Sequence, residues 1–230
     1  MKKRILSLSL LSAMAISLFS CNNNEQDQLV ANVTVNARAL AVSESAPNQR
    51  NINGATFVTM DVAMRDVGLL EEGDQPNAAR TISNGPHHFR LMRNTAPQTE
   101  QIGSAQIRHG EFDRLAFRMD RNQAFGVEGS EGTSLFIVGS VNDTDLHIYT
   151  TAETVLSVDA HGGPYSITSE EQLFLNIDMN TLFTGINFND ARDGNGDGVI
   201  EIEPDNLDGN SALYQQIMGN LQSAVTFTRE

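Results

Sequence analysis

Tryptophan is absent from this 230-residue chain, tyrosine occurs three times and cysteine once. A single thiol excludes an intramolecular disulfide, so the fold stands on its core or on a bound ion. With no tryptophan and three tyrosines, a wide aromatic platform for sugar rings is excluded, and Tyr149 and Tyr165 are candidates for a small one. Basic residues are also scarce: 15 Lys and Arg stand against 29 Asp and Glu, a formal charge of −14. That excess repels phosphate, which excludes nucleic acid as a partner and disfavours docking on anionic lipid without a covalent anchor. The main apolar run, Ile5 to Phe19, is broken by serines and falls short of the roughly 20 residues of a membrane span.

What is present begins with that run. Met1-Lys2-Lys3-Arg4 precedes it, and Leu18-Phe19-Ser20-Cys21 closes it. This is the order of a bacterial lipoprotein signal, with the thiol of Cys21 as the atom to be acylated after cleavage. Phe19 departs from the small residue usual at its position. Loss of residues 1–20 takes the basic count from 15 to 12 against 29 acids, and the charge from −14 to −17. The polar segment Asn22 to Gln28, within 21–29, reads as a flexible tether. Residues 30–230 are then expected to form one domain, on the outer membrane or cell surface.

Strict alternation dominates that domain. Val33, Val35, Ala37 and Ala39 share one face of a strand from Asn32 to Ala39, as do Val58, Met60, Val62 and Met64. Leu115, Phe117 and Met119 repeat the pattern, and so do Leu173, Leu175, Ile177 and Met179. Leu135 to Val138 is continuously apolar and predicts a central strand; Leu146–Tyr149 and Thr154–Val158 add two more. Glycine and asparagine turns between them, such as Asn53-Gly54 and Asn84-Gly85-Pro86, argue an all-β, antiparallel β-sandwich, immunoglobulin-like in its many short strands. Near the C-terminus the period becomes helical: Leu213, Ile217 and Leu221 at steps of four, with Met218 and Val225 beside them. A helix over about 210–225, capped by Asn210 or Ser211, is expected to pack on the sandwich and to end the chain.

One motif carries chemistry. Asp193-Gly194-Asn195-Gly196-Asp197-Gly198-Val199-Ile200-Glu201 places oxygen donors at alternate positions, which converge when the backbone curls round a hard cation. Asp193, Asn195 and Asp197 are the expected side-chain ligands to calcium, Val199 offers its carbonyl, and Glu201 binds directly or through water. The twelfth position of such a loop should be an acid and is Pro204; Glu203 or Asp205 is the substitute, within a loop over 193–205. The ion is expected to be structural. The bland alternative is a turn rich in Asp, Asn and Gly.

Other combinations give no catalytic constellation. His87-His88 point to opposite faces if they lie in a strand, and His109 and His161 lack a glutamate at zinc spacing. No serine lies in a Gly-x-Ser-x-Gly turn. Glu71-Glu72 and Glu170-Glu171 are acidic pairs, but adjacency does not supply the separation across a cleft that glycoside hydrolysis needs.

The strand ending in Arg65-Asp66-Val67-Gly68-Leu69, then Phe89-Arg90-Leu91-Met92, Gly110-Glu111-Phe112-Asp113-Arg114-Leu115-Ala116-Phe117 and Leu173-Phe174-Leu175-Asn176-Ile177-Asp178, resemble the DUF4382-like lipoproteins of Bacteroidetes type. The resemblance implies a prealbumin-like sandwich and a lipid anchor, and no activity. The expectation is therefore a non-catalytic, lipid-anchored protein that binds a glycan or a protein of a surface complex. A lipidated fimbrial subunit precursor, trimmed after Arg38 or Arg50, is the alternative, and an enzyme of unidentified class the third reading.

Overall fold

The computed structural model describes residues 29–40, 51–121 and 130–230. The signal segment, Cys21, the tether up to Gln28 and Arg50 lie outside these described residues. In chain order the strands are β1 (Val30–Leu40), β2 (Asn51–Ile52), β3 (Ala55–Leu70), β4 (Arg80–Ser83), β5 (His87–Arg93), β6 (Ala96–Pro97), β7 (Thr99–Arg108) and β8 (Gly110–Phe112). There follow β9 (Arg114–Met119), β10 (Leu135–Val141), β11 (Thr144–Thr150), β12 (Val155–Asp159), β13 (Tyr165–Ile167) and β14 (Glu171–Asp178). Helix α1 (Met179–Leu182), β15 (Val199–Ile202), helix α2 (Ser211–Ala224) and β16 (Val225–Arg229) complete the series.

These make an all-β, sandwich-like fold. One sheet has the order β16-β14-β1-β7, and the larger one runs β12-β9-β3-β10-β11-β15 with β2, β4 and β5 also on β3. Their apolar faces meet in one core. Alternation works as expected in β1, where Val33, Val35 and Ala37 are fully buried while their neighbours are not. Leu115, Phe117 and Met119 of β9 and Leu173, Leu175 and Ile177 of β14 also enter the core. Most pairs are antiparallel, but β1 runs parallel to β14, and β11 to β15.

Two local departures have clear causes. In β3 the register slips opposite Val138 and Gly139, so Phe57 takes the core place and Val58 is only half-buried. Gly139 permits this close approach: a Cβ there would lie 2.4 Å from the Thr56 carbonyl oxygen. At the end of β14, Asp178 accepts the N–H of Asn180 at 2.9 Å and the hydroxyl of Thr181 at 2.8 Å. This cap starts α1, so Met179 is buried from a helix rather than a strand.

Helix α2 packs inside the domain as expected. Ile217 and Leu221 are buried, Leu213 and Met218 partly so, and the Asn220 carboxamide donates to the carbonyls of Leu182 (3.0 Å) and Thr184 (2.9 Å). The expected helical ending is corrected, because the chain leaves α2 at Val225 and continues as β16, antiparallel to β14. Its Val225-Thr226-Phe227 pattern alternates, and Phe227 is fully buried.

Candidate metal centre

An aromatic group fixes the approach to the loop. Phe183 stacks on Phe57 with centroids 4.6 Å apart, and Phe188 meets Phe183 edge-on at 5.2 Å. The N–H of Phe188 donates to the Asn53 carbonyl at 3.0 Å. After a short 3₁₀ turn at Phe188–Asp190 the chain enters the loop and leaves it through β15, held parallel to β11.

Within the loop the oxygens fold inward onto the backbone. Asp193 Oδ1 accepts the N–H of Gly196 at 2.6 Å and Asp197 at 3.2 Å, and its Oδ2 accepts that of Gly198 at 2.9 Å. Asn195 Oδ1 accepts from Asp197 N–H, and Asp197 Oδ1 from Val199 N–H, both at 2.9 Å. Gly196 and Gly198 supply the left-handed turns, at φ +79° and +95°. A carboxylate offers about four lone-pair sites, so these amide bonds leave acceptor capacity for a cation. Among the described residues no three His, Cys, Asp or Glu side chains form a ready metal cluster; the set here relies on Asn195 and on a carbonyl.

The residues expected to close the site are placed differently from one another. Glu201 sits beside His147 on neighbouring strands. Burial first, and then the charges of Asp197, Asp208, Glu203 and Asp193, push its carboxyl above the ordinary range. Glu203 is buried, and its two oxygens accept the N–H groups of Asp205 and Leu207, which shapes the following turn. The Asp205 side chain is exposed.

Two further residues hold the loop. Asp208 is 2 % exposed and accepts the N–H of Asn195 at 3.1 Å and of Glu201 at 2.6 Å. Gly194 lies against it, since a Cβ there would be 2.2 Å from the Asp208 carbonyl oxygen. Asn210, placed at the helix cap as expected, makes no side-chain cap bond. Instead it accepts from Arg192 N–H and donates to the carbonyls of Arg192 and Glu201, the latter two at 2.8 Å. Asp208 stands fifteen residues beyond Asp193, outside any twelve-residue loop pattern; the only sequence signal was an acid in an otherwise turn-forming stretch.

The loop's acids act on neighbouring groups of the sheet. The Tyr149 hydroxyl is pushed up, by burial first and then by Glu201, Glu203, Asp205 and Asp208. Burial lowers His147, against the opposing pull of Asp145 and Asp197. Tyr149 packs near Phe136, and Tyr165 is buried against Phe227 with Arg229 over its ring.

The remaining candidates are separate. His87 hydrogen-bonds Ser83 and stacks on Phe89; burial and His88 lower its ring. Glu71 pairs with Arg80 at 3.3 Å and Glu171 with Arg229 at 3.2 Å. Arg38 lies inside β1, bonded to Asn176 and Glu230 at 2.6 Å each and stacked over Phe174. Among the described residues no helix is long and apolar enough to cross a membrane. Comparison with family models, with curated proteins and with solved structures gives no match for this chain.

Proposed function

We propose that this is a non-catalytic, lipid-anchored surface protein whose β-sandwich is stabilised by calcium and binds a glycan, or alternatively a protein of a surface complex. The observation that carries the calcium part is the curl of Asp193, Asn195 and Asp197 round one turn, with the Glu201 carboxyl raised by burial first and then by its acidic neighbours. Such crowding is relieved when a cation sits among the oxygens. The Val199 carbonyl and Glu201 complete the donor set, and Asp208 and Asn210 hold it in shape. The anchor follows from the lipoprotein order ending at Cys21. A glycan array and a pulldown from native membranes test the binding part; no glycan and no stable partner in either would count against it.

A fimbrial reading is favoured by one observation. β1, which follows the tether, is an inner strand between β7 and β14 rather than an edge. Cleavage after Arg50 would free β1 and open an apolar slot for a strand of another subunit. Arg38 is a poor site for such a cut because it is paired within the sheet. N-terminal sequencing of protein from native membranes decides: a start directly after Arg50 supports this reading, and a start only at lipidated Cys21 removes it.

A further inference from the structure

Within the large sheet, two strands away from β11 and three from β15, which flank the metal loop, β3 loses its register with β9 between Arg65 and Gly68. Asp66 adopts φ +52° at this bulge, a conformation that aspartate tolerates better than most residues. Gly68 then lets the turn before β4 come close, because a Cβ there would stand 2.8 Å from that of Ala79. The result is a cleft of about 370 Å³ between the turn and β9, near the lower end of small-ligand pockets.

The cleft carries one carboxylate, Asp66, and one guanidinium, Arg118, so its formal charge balances; Asn77 and Asn84 add carboxamides. Among the described residues the side chains of Asn77, Asn84 and Arg118 have no hydrogen-bond or ion-pair partner. Among the described residues the Asp66 carboxylate has only Arg65, at 3.7 Å. Planar groups that both donate and accept suit pairs of neighbouring hydroxyls. An isolated cation opposed by a carboxylate does not suit a phosphate. The apolar lining includes short side chains such as Ala79, Ala116 and the exposed Val155, which suits the C–H face of a sugar better than a bulky peptide anchor.

We infer that this cleft is a binding subsite for a short neutral saccharide, held by Asp66, Arg118, Asn77 and Asn84. The inference rests on the glycan-binding reading above. Strands β10 and β11 stand between β3 and β15, and none of the cleft's lining residues belongs to the loop, so binding here is expected to be independent of bound calcium.

The test is an array of neutral and acidic glycans probed with the intact protein, with and without chelator, beside Asp66→Asn and Arg118→Gln. Both positions are exposed, and asparagine keeps the left-handed backbone, so unchanged melting temperatures verify folding. The expected result is binding to neutral glycans that each variant weakens by about tenfold and that chelator leaves intact. Glycan binding untouched by both folded variants would overturn the subsite and leave the glycan reading standing. Binding only to acidic glycans would overturn the neutral assignment. No binding to any glycan would overturn the subsite and the glycan reading together, leaving the calcium reading untouched.

Discussion

Asp208 accepts the backbone N–H of Glu201 at 2.6 Å through Oδ2 while its other oxygen holds Asn195. One buried carboxylate thus ties the entrance of the acidic loop to the first residues of β15. Replacing it with alanine leaves two amides without this partner, at roughly 1–3 kcal/mol. Asp208→Ala is expected to lower the melting temperature by about 2–12 °C and to weaken the calcium response. A thermal scan with and without calcium measures both.

Two of the loop's three glycines separate packing from conformation. Gly196 has open space around its Cβ position but φ +79°, whereas Gly194 faces the Asp208 backbone at 2.2 Å. Gly196→Ala should cost about 1 kcal/mol, from the left-handed conformation. Gly194→Ala should cost about 2–3 kcal/mol because the opposing backbone has no rotamer to move to. Denaturant titration of the two variants would show the larger loss at Gly194.

The raised Glu201 carboxyl sets a pH dependence. Its ionised form is disfavoured in the folded chain, so the protein retains more protons than the unfolded chain just above the ordinary glutamate range. Stability from this group is therefore full below that range and is lost as pH rises through the raised value. In chelator, the melting temperature should fall as pH increases from about 4 through the raised value. Glu201→Gln should flatten that slope, and calcium should reduce it in the parent protein by favouring the ionised carboxylate.

Asp61 is fully buried on β3 and receives both Nε and Nη2 of Arg90, at 2.8 and 2.9 Å. Arg90 is 30 % exposed in its side chain, which screens part of the interaction. Arg90→Met should destabilise by about 2–3 kcal/mol by stranding the carboxylate. Adding Asp61→Leu should recover part of that loss in equilibrium unfolding, because the pair rather than either residue is the unit.

Much of the fold was legible because a half-buried strand writes its inward face at every second position, as Val33, Val35 and Ala37 do. The slip at Phe57 was not legible. It depends on how closely Gly139 approaches Thr56, a contact between residues distant in sequence. Nor was β16, since Val225 continues the helical stripe of Ile217 and Leu221 and the following alternation is short. In the loop, local spacing identified Asp193, Asn195 and Asp197, whose mutual geometry is set by five residues of backbone. Asp208 and Asn210 reach the loop only after β15 has turned back, so no local pattern names them. Lipidation at Cys21 rests on sequence alone.

The most direct measurement is a calcium titration of the purified protein followed by thermal unfolding and calorimetry, beside the Asp193→Ala/Asp197→Ala double variant. A melting temperature that climbs across roughly 0.1–1 mM calcium, with binding heat, and a variant that shows neither, is the predicted result. No change in melting temperature and no binding heat up to several millimolar calcium would contradict the account and leave the loop a turn of aspartates, asparagine and glycines.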